Sequence, residues 1–183
     1  MSAESWGALV LVLLAAGLVC AAAAWATAAR RIWAPAALLL LLAAGVVAAA
    51  PPDVVVDGRG LTTVLALLGG ALAVAGGGPL TALVFELVDR RETPTESMQT
   101  AGRVLRGGAW IGALERLAIF SALVAGWPEG LAVVLAVKGL GRYPELRAAE
   151  DGVRTGAAER FIIGTFTSVL WACGCAGAVL LVR

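Results

Sequence analysis

The constraint that dominates this sequence is its division into six apolar runs, at about residues 6–28, 32–50, 61–88, 108–127, 128–141 and 161–182, separated by breaks that carry charge, Pro or Gly. Runs near 20 residues match the length a helix needs to cross a hydrocarbon core. The composition agrees, with 60% hydrophobic and 15% charged residues in a chain of 183, against about 25% charge in soluble domains. The expected fold is all-α, a polytopic membrane helix bundle of about six transmembrane helices with short interfacial helices. Residues 1–183 then form one integral membrane domain. Within it, residues 1–106 hold three spans and an interfacial helix, and residues 107–183 hold three spans with charges inside them.

Positive charge orients such a bundle, because Lys and Arg collect in the cytoplasmic loops. Arg30 and Arg31 follow the first run, Arg90, Arg91, Arg103 and Arg106 follow the third, and Lys138, Arg142, Arg147, Arg154 and Arg160 lie at or after the fifth. Only Arg59 and Arg183 fall on the other side. The expected location is therefore the cell membrane, multi-pass, with both termini extracytoplasmic. Trp6, Trp25, Trp33, Trp110 and Trp127 sit near run ends, where an indole suits the headgroup region, and Trp171 is the exception. Met1 to Trp6 contain no basic residue, so the first run reads as a span and not as a cleaved signal, although the Ala-rich stretch near Ala24 resembles a cleavage site.

Much chemistry is excluded. The chain has no histidine, which removes the usual general base, the commonest zinc ligand and the Ser-His and Cys-His nucleophile systems. Cys20, Cys173 and Cys175 lie inside apolar runs with neither a CxxC pair nor a disulfide framework, and read as small hydrophobes. No cofactor, metal or nucleic acid is expected, since the net charge is +1 and the basic residues form short clusters, not a stripe.

Three local features interrupt the simple pattern. Gly76-Gly77-Gly78-Pro79 in the third run predicts a kink or break there, or an end of the span near Ala75 with an interfacial helix over 80–91 containing a Glu86–Arg90 pair. Thr93-Pro94-Thr95-Glu96 has the form of a capping box, opening a surface helix whose apolar face is Met98, Ala101 and Leu105. Pro144 is expected to open another short helix, with Arg147–Asp151 and Glu150–Arg154 pairs.

The candidate site lies in the C-terminal half. Glu115, Arg116 and Lys138 interrupt apolar sequence, and a charge at bilayer depth costs about 2.5–3.5 kcal/mol, so such a group is paired or functional. Glu115 lies twelve residues before Trp127 and Lys138 ten after Pro128. In an antiparallel hairpin turning there, their depths differ by about 3 Å, and they can meet. Arg116 then needs its own partner: Glu159, Glu86, a backbone carbonyl at a helix break, or an anionic ligand. In the last run Arg160, Gly164, Ser168, Ala172 and Ala176 repeat every four residues, a ridge that lets helices approach closely.

The pattern Gly108-Ala-Trp-Ile-Gly112-Ala-Leu-Glu115-Arg116, then Lys138 with Arg142, then Glu159-Arg160-Phe-Ile-Ile-Gly164-Thr165 with Ser168, resembles the C-terminal portion of an uncharacterised family of bacterial polytopic membrane proteins over about residues 102–175. The resemblance implies a bacterial membrane protein in which Glu115, Arg116, Lys138, Arg142, Glu159 and Arg160 form one ligand-binding constellation, and it carries no activity. The N-terminal half departs from that family, which begins with a His/Asp-containing apolar segment.

These readings lead to a protein that binds or moves an anionic small molecule or lipid headgroup through the intramembrane charges. The alternatives are a scaffold or accessory subunit, with a membrane protein partner or a second copy, and a membrane enzyme acting on a lipid or phosphate ester with Glu115 or Glu159 as base. Membrane lipids are partners in every case.

Overall fold

Runs this rich in Ala and Leu favour the helix, in which every backbone group bonds within its own segment. The computed structural model describes residues 3–26, 28–50, 54, 56, 58–89, 108–148 and 151–182, and among them the chain is all-helical with no strand. The helices are α1 (Ala3–Ala26), α2 (Arg30–Ala49), α3 (Arg59–Asp89), α4 (Gly108–Val124), α5 (Glu129–Ala148) and α6 (Asp151–Leu180). Four of them, α1, α2, α3 and α6, are long and apolar enough to cross a membrane. α4 has 17 residues, and α5 is interrupted by Lys138 and Arg142.

α3 is the central element. It packs against α1, α2, α4 and α6, whereas among the described residues α5 reaches α4 and, slightly, α6. Leu14 of α1, Leu65 and Leu72 of α3, Ile119 of α4, and Cys175 and Val179 of α6 are fully buried between these helices. The outward faces are apolar as well, with Ile32, Leu39, Val46, Phe166 and Leu170 about two-thirds exposed.

The third run neither breaks nor ends at its glycines. α3 continues from Arg59 to Asp89 with Pro79 inside it. Three consecutive residues of a helix point in directions about 100° apart, and here each glycine meets a different neighbour. A Cβ on Gly76 would overlap the Trp171 ring of α6, one on Gly77 would overlap the Arg116 side chain of α4, and one on Gly78 would come within 2.6 Å of Trp25 Cζ2 of α1. The same three side chains donate to α3 carbonyls. Trp171 Nε1 bonds Leu72 O at 3.1 Å, Arg116 Nη2 bonds Val74 O at 2.9 Å, and Trp25 Nε1 bonds Ala75 O at 2.7 Å. Ala75 O is the acceptor that Pro79, lacking an N–H, leaves without its helical donor. The outside donor replaces that bond, which is why the helix survives.

One further expectation changes, and Glu86 gains partners the sequence did not suggest. Pro144 lies inside α5, which runs on to Ala148, and α6 begins at Asp151, so no separate short helix forms between them. Glu86 bonds Arg31 Nε at 3.1 Å and lies 3.6 Å from Arg30 Nη1. Arg90 and the helix expected at 93–106, with Met98, Ala101 and Leu105, lie outside the described residues, as do the side chains of the Arg147–Asp151 and Glu150–Arg154 pairs.

The glycine contacts generate a contrast. Gly76→Ala is expected to cost about 1–3 kcal/mol through overpacking against Trp171. Gly45→Ala in α2, where nothing lies within 4 Å of an added Cβ, is expected to be neutral or to stabilise by up to about 1 kcal/mol through helix propensity. Thermal unfolding of the purified variants in detergent checks both; equal midpoints for the two would contradict the packing argument.

Candidate functional site

The turn after α4 decides what faces what. Gly126 takes φ +77°, a region that favours glycine. Trp127 N–H reaches back to Ala122 O at 2.8 Å and Gly126 N–H bonds Leu123 O at 3.0 Å, the paired bonds of a Schellman closure. Gly130 then lies against Ala122 and the Trp127 ring, with only 2.8 Å from an added Cβ to either, so α5 departs close along α4.

Glu115 and Lys138 meet across this hairpin. Lys138 Nζ donates to Glu115 Oε2, with the two side chains 17% and 12% exposed respectively. The ammonium also lies 5.9 Å from the centroid of the Phe161 ring on α6, so one cation joins three helices.

Arg116 follows Glu115 and is turned about 100° away from it, toward α3. It is 4% exposed. Its Nε and Nη2 donate to Val74 O, at 3.3 and 2.9 Å, and its Nη1 donates to Ser168 Oγ at 3.2 Å. Gly77 leaves space for its aliphatic stem, and Gly112, one turn earlier on α4, for its terminal nitrogen. Among the partners considered for it, the structure supplies a backbone carbonyl, although at a continuous helix and not at a break. Glu86 is engaged by Arg30 and Arg31, and Glu159 is exposed on α6.

The described contacts bring the expected residues together in separate groups. Glu115 and Lys138 make one group with Phe161, and Arg116 makes a second with Val74 and Ser168. Arg160 lies over the Phe85 ring of α3, 5.3 Å from its centroid. Arg142 is half-buried one turn beyond Lys138. Along α6, Gly164 lies against Phe85, Ser168 accepts from Arg116, and Ala172 and Ala176 are fully buried. Thr167 bonds the Ile163 carbonyl of its own helix at 2.8 Å, while Thr165 Oγ1 is buried with no partner among the described residues.

Among the described residues, no three His, Cys, Asp or Glu side chains converge in a way that would hold a metal. A groove of about 410 Å³ lies at the other end of the bundle, between Thr62, Thr63 and Leu67 of α3 and Val179 and Val182. No expected site residue lines it. Sequence reasoning missed the aromatic partners Phe85 and Phe161, and the cluster of Arg30, Arg31 and Glu86. The only signal for that cluster was the placement of its arginine break and the end of the third run on one side of the membrane.

Removing one member of the buried pair leaves the other charge uncompensated. Lys138→Met is expected to lose about 3 kcal/mol of stability, and Glu115→Gln with Lys138→Met to recover most of it. A double-mutant cycle on thermal or denaturant unfolding measures the coupling, and additive losses would show that the two side chains do not interact.

Comparison with protein-family models, curated proteins and solved structures finds no match for this chain.

Proposed function

We propose that this chain is a multi-pass membrane protein of six crossings that holds an anion beside Arg116. Its arginine-rich end faces the cytoplasm of a bacterial cell and both termini face outward. Four helices with the length and hydropathy of membrane spans support the bilayer setting, together with the exposed apolar residues on α1, α2 and α6. α4, at about 26 Å, and α5, with its Lys138 neutralised by Glu115, complete the crossings.

The observation that carries the anion reading is electrostatic. Arg116 is a buried cation whose acceptors among the described residues are neutral, a carbonyl and a hydroxyl. The adjacent carboxylate, Glu115, is bound to Lys138. One positive charge therefore stays uncompensated in the interior, where the effective dielectric is low and an anion is attracted most strongly. Thr165 adds a hydroxyl without a partner among the described residues, on the α6 face between Phe161 and Ser168, the residues that meet Lys138 and Arg116. A carboxylate or a phosphate-bearing group fits these donors.

A second reading, a scaffold or accessory subunit, draws on a different observation: each buried charge joins two or more helices. On that reading the variants change stability alone. Glu115 is engaged and Glu159 is exposed, an arrangement that favours neither as the base of an enzyme.

Saturable binding of inorganic phosphate or acetate to the purified protein, followed by equilibrium dialysis, is the expected result. Arg116→Gln should weaken it at least tenfold while the helical circular dichroism is retained. Binding that is unchanged in that variant would overturn the anion reading, and no binding of either probe would favour the scaffold.

A further inference from the structure

At the opposite edge of α3 from this site, two arginines share one acid. Glu86 Oε2 accepts from Arg31 Nε at 3.1 Å, and Glu86 Oε1 lies 3.6 Å from Arg30 Nη1. The three side chains carry a net charge of +1, and they are open, at 63% exposure for Arg31, 39% for Arg30 and 36% for Glu86. Arg30 Nε is buried and has no acceptor among the described residues. Among the described residues the cluster thus keeps both a surplus charge and a surplus donor.

The surface that continues from it is apolar. At 100° per residue, Ile32, Leu39, Leu42 and Val46 fall within about 80° of one another around α2, and Arg31 lies about 20° beyond the edge of that stripe. These four side chains are 56–68% exposed. A guanidinium therefore heads an open hydrocarbon track along the helix. Trp25 and Trp33, 53% and 37% exposed, stand at the same end, at the level where indoles meet headgroups.

We propose that Arg30 and Arg31 bind the phosphodiester of an anionic phospholipid, whose acyl chain lies along Ile32, Leu39, Leu42 and Val46. Free phosphate matches the arginines but leaves the apolar stripe unused. A zwitterionic lipid matches the stripe, but its own cation opposes the surplus charge. Glu86 presents the two guanidinium groups together and, by consuming one charge, sets the selectivity. The inference rests on the membrane setting proposed above and is independent of the anion beside Arg116.

The test uses the full chain, reconstituted in nanodiscs of equal phosphatidylglycerol and phosphatidylcholine, with the lipid retained after detergent washing counted by mass spectrometry. Phosphatidylglycerol is expected to be enriched on the wild type. Each arginine near an anionic surface is worth about a five-fold change in binding, so Arg31→Gln is expected to reduce the enrichment roughly five-fold, and Arg30→Gln with Arg31→Gln further. Glu86→Gln is expected to raise it, a direction that damage to the fold would not produce, and this arm holds even where the arginine variants fail to fold. Arg59→Gln, at the other end of α3, is expected to behave as wild type. Equal retention of the two lipids, or an enrichment unmoved by Arg31→Gln and Glu86→Gln, would overturn the proposal. Displacement of the lipid by millimolar inorganic phosphate would reassign the site to free phosphate. Extraction of the protein from native membranes by alkaline carbonate would instead overturn the membrane setting itself.

Discussion

Three side chains donating to one stretch of α3 backbone hold this bundle together. Trp171, Arg116 and Trp25 come from α6, α4 and α1, and reach the carbonyls of Leu72, Val74 and Ala75. Each passes a glycine to get there. A single small residue lets one neighbour approach, but three in succession open three directions at once, and a central helix needs that property. Pro79 contributes to the same arrangement by leaving Ala75 O in need of a donor. Features that weaken an isolated helix therefore become the places where this helix is held from outside.

The buried charges follow two different rules. Glu115 and Lys138 neutralise each other, so their cost is chiefly desolvation, offset by mutual attraction and by the Phe161 ring. Arg116 keeps its charge and spreads it over neutral dipoles, which hydrogen bonds satisfy but which leave its field in place. Adjacent residues on one helix face different ways because of the helical repeat, and that alone separates the pair from the single cation. The proposed chemistry belongs to the cation, and the hairpin pair is its support.

How much of this is legible in the sequence depends on the range of the interaction. The helices follow from run length and composition, which are local. The meeting of Glu115 with Lys138 follows from counting residues on either side of Trp127-Pro128, because a tight turn makes depth a function of sequence distance. Pro79 and Pro144 read as breaks by a local rule that assigns the lost hydrogen bond to the helix itself, and the structure overrides that rule at both. For Pro79 the compensating donor, Trp25, is 50 residues away from the carbonyl it serves. Trp171 stands out in the sequence only as a tryptophan away from a run end, and its buried bond to Leu72 requires knowing that α6 lies against α3. The sharing of Glu86 by Arg30 and Arg31 likewise depends on the start of α2 lying beside the end of α3, which no spacing within either run specifies.

These contacts divide the molecule unevenly. α1, α3, α4 and α6 are tied to one another at the glycines of α3, so none of the four moves without breaking a hydrogen bond to backbone. α5 has no such tie. It is held by the turn at Gly126, by the contact of Gly130 with Trp127, and by Lys138. The turn fixes one end, and further along Lys138 holds α5 to Glu115 of α4 and to the Phe161 ring of α6. The Arg116 and Thr165 groups lie among those same helices. The anion site proposed beside Arg116 thus adjoins the Glu115–Lys138 pair, an interaction that a nearby anion would weaken by attracting Lys138.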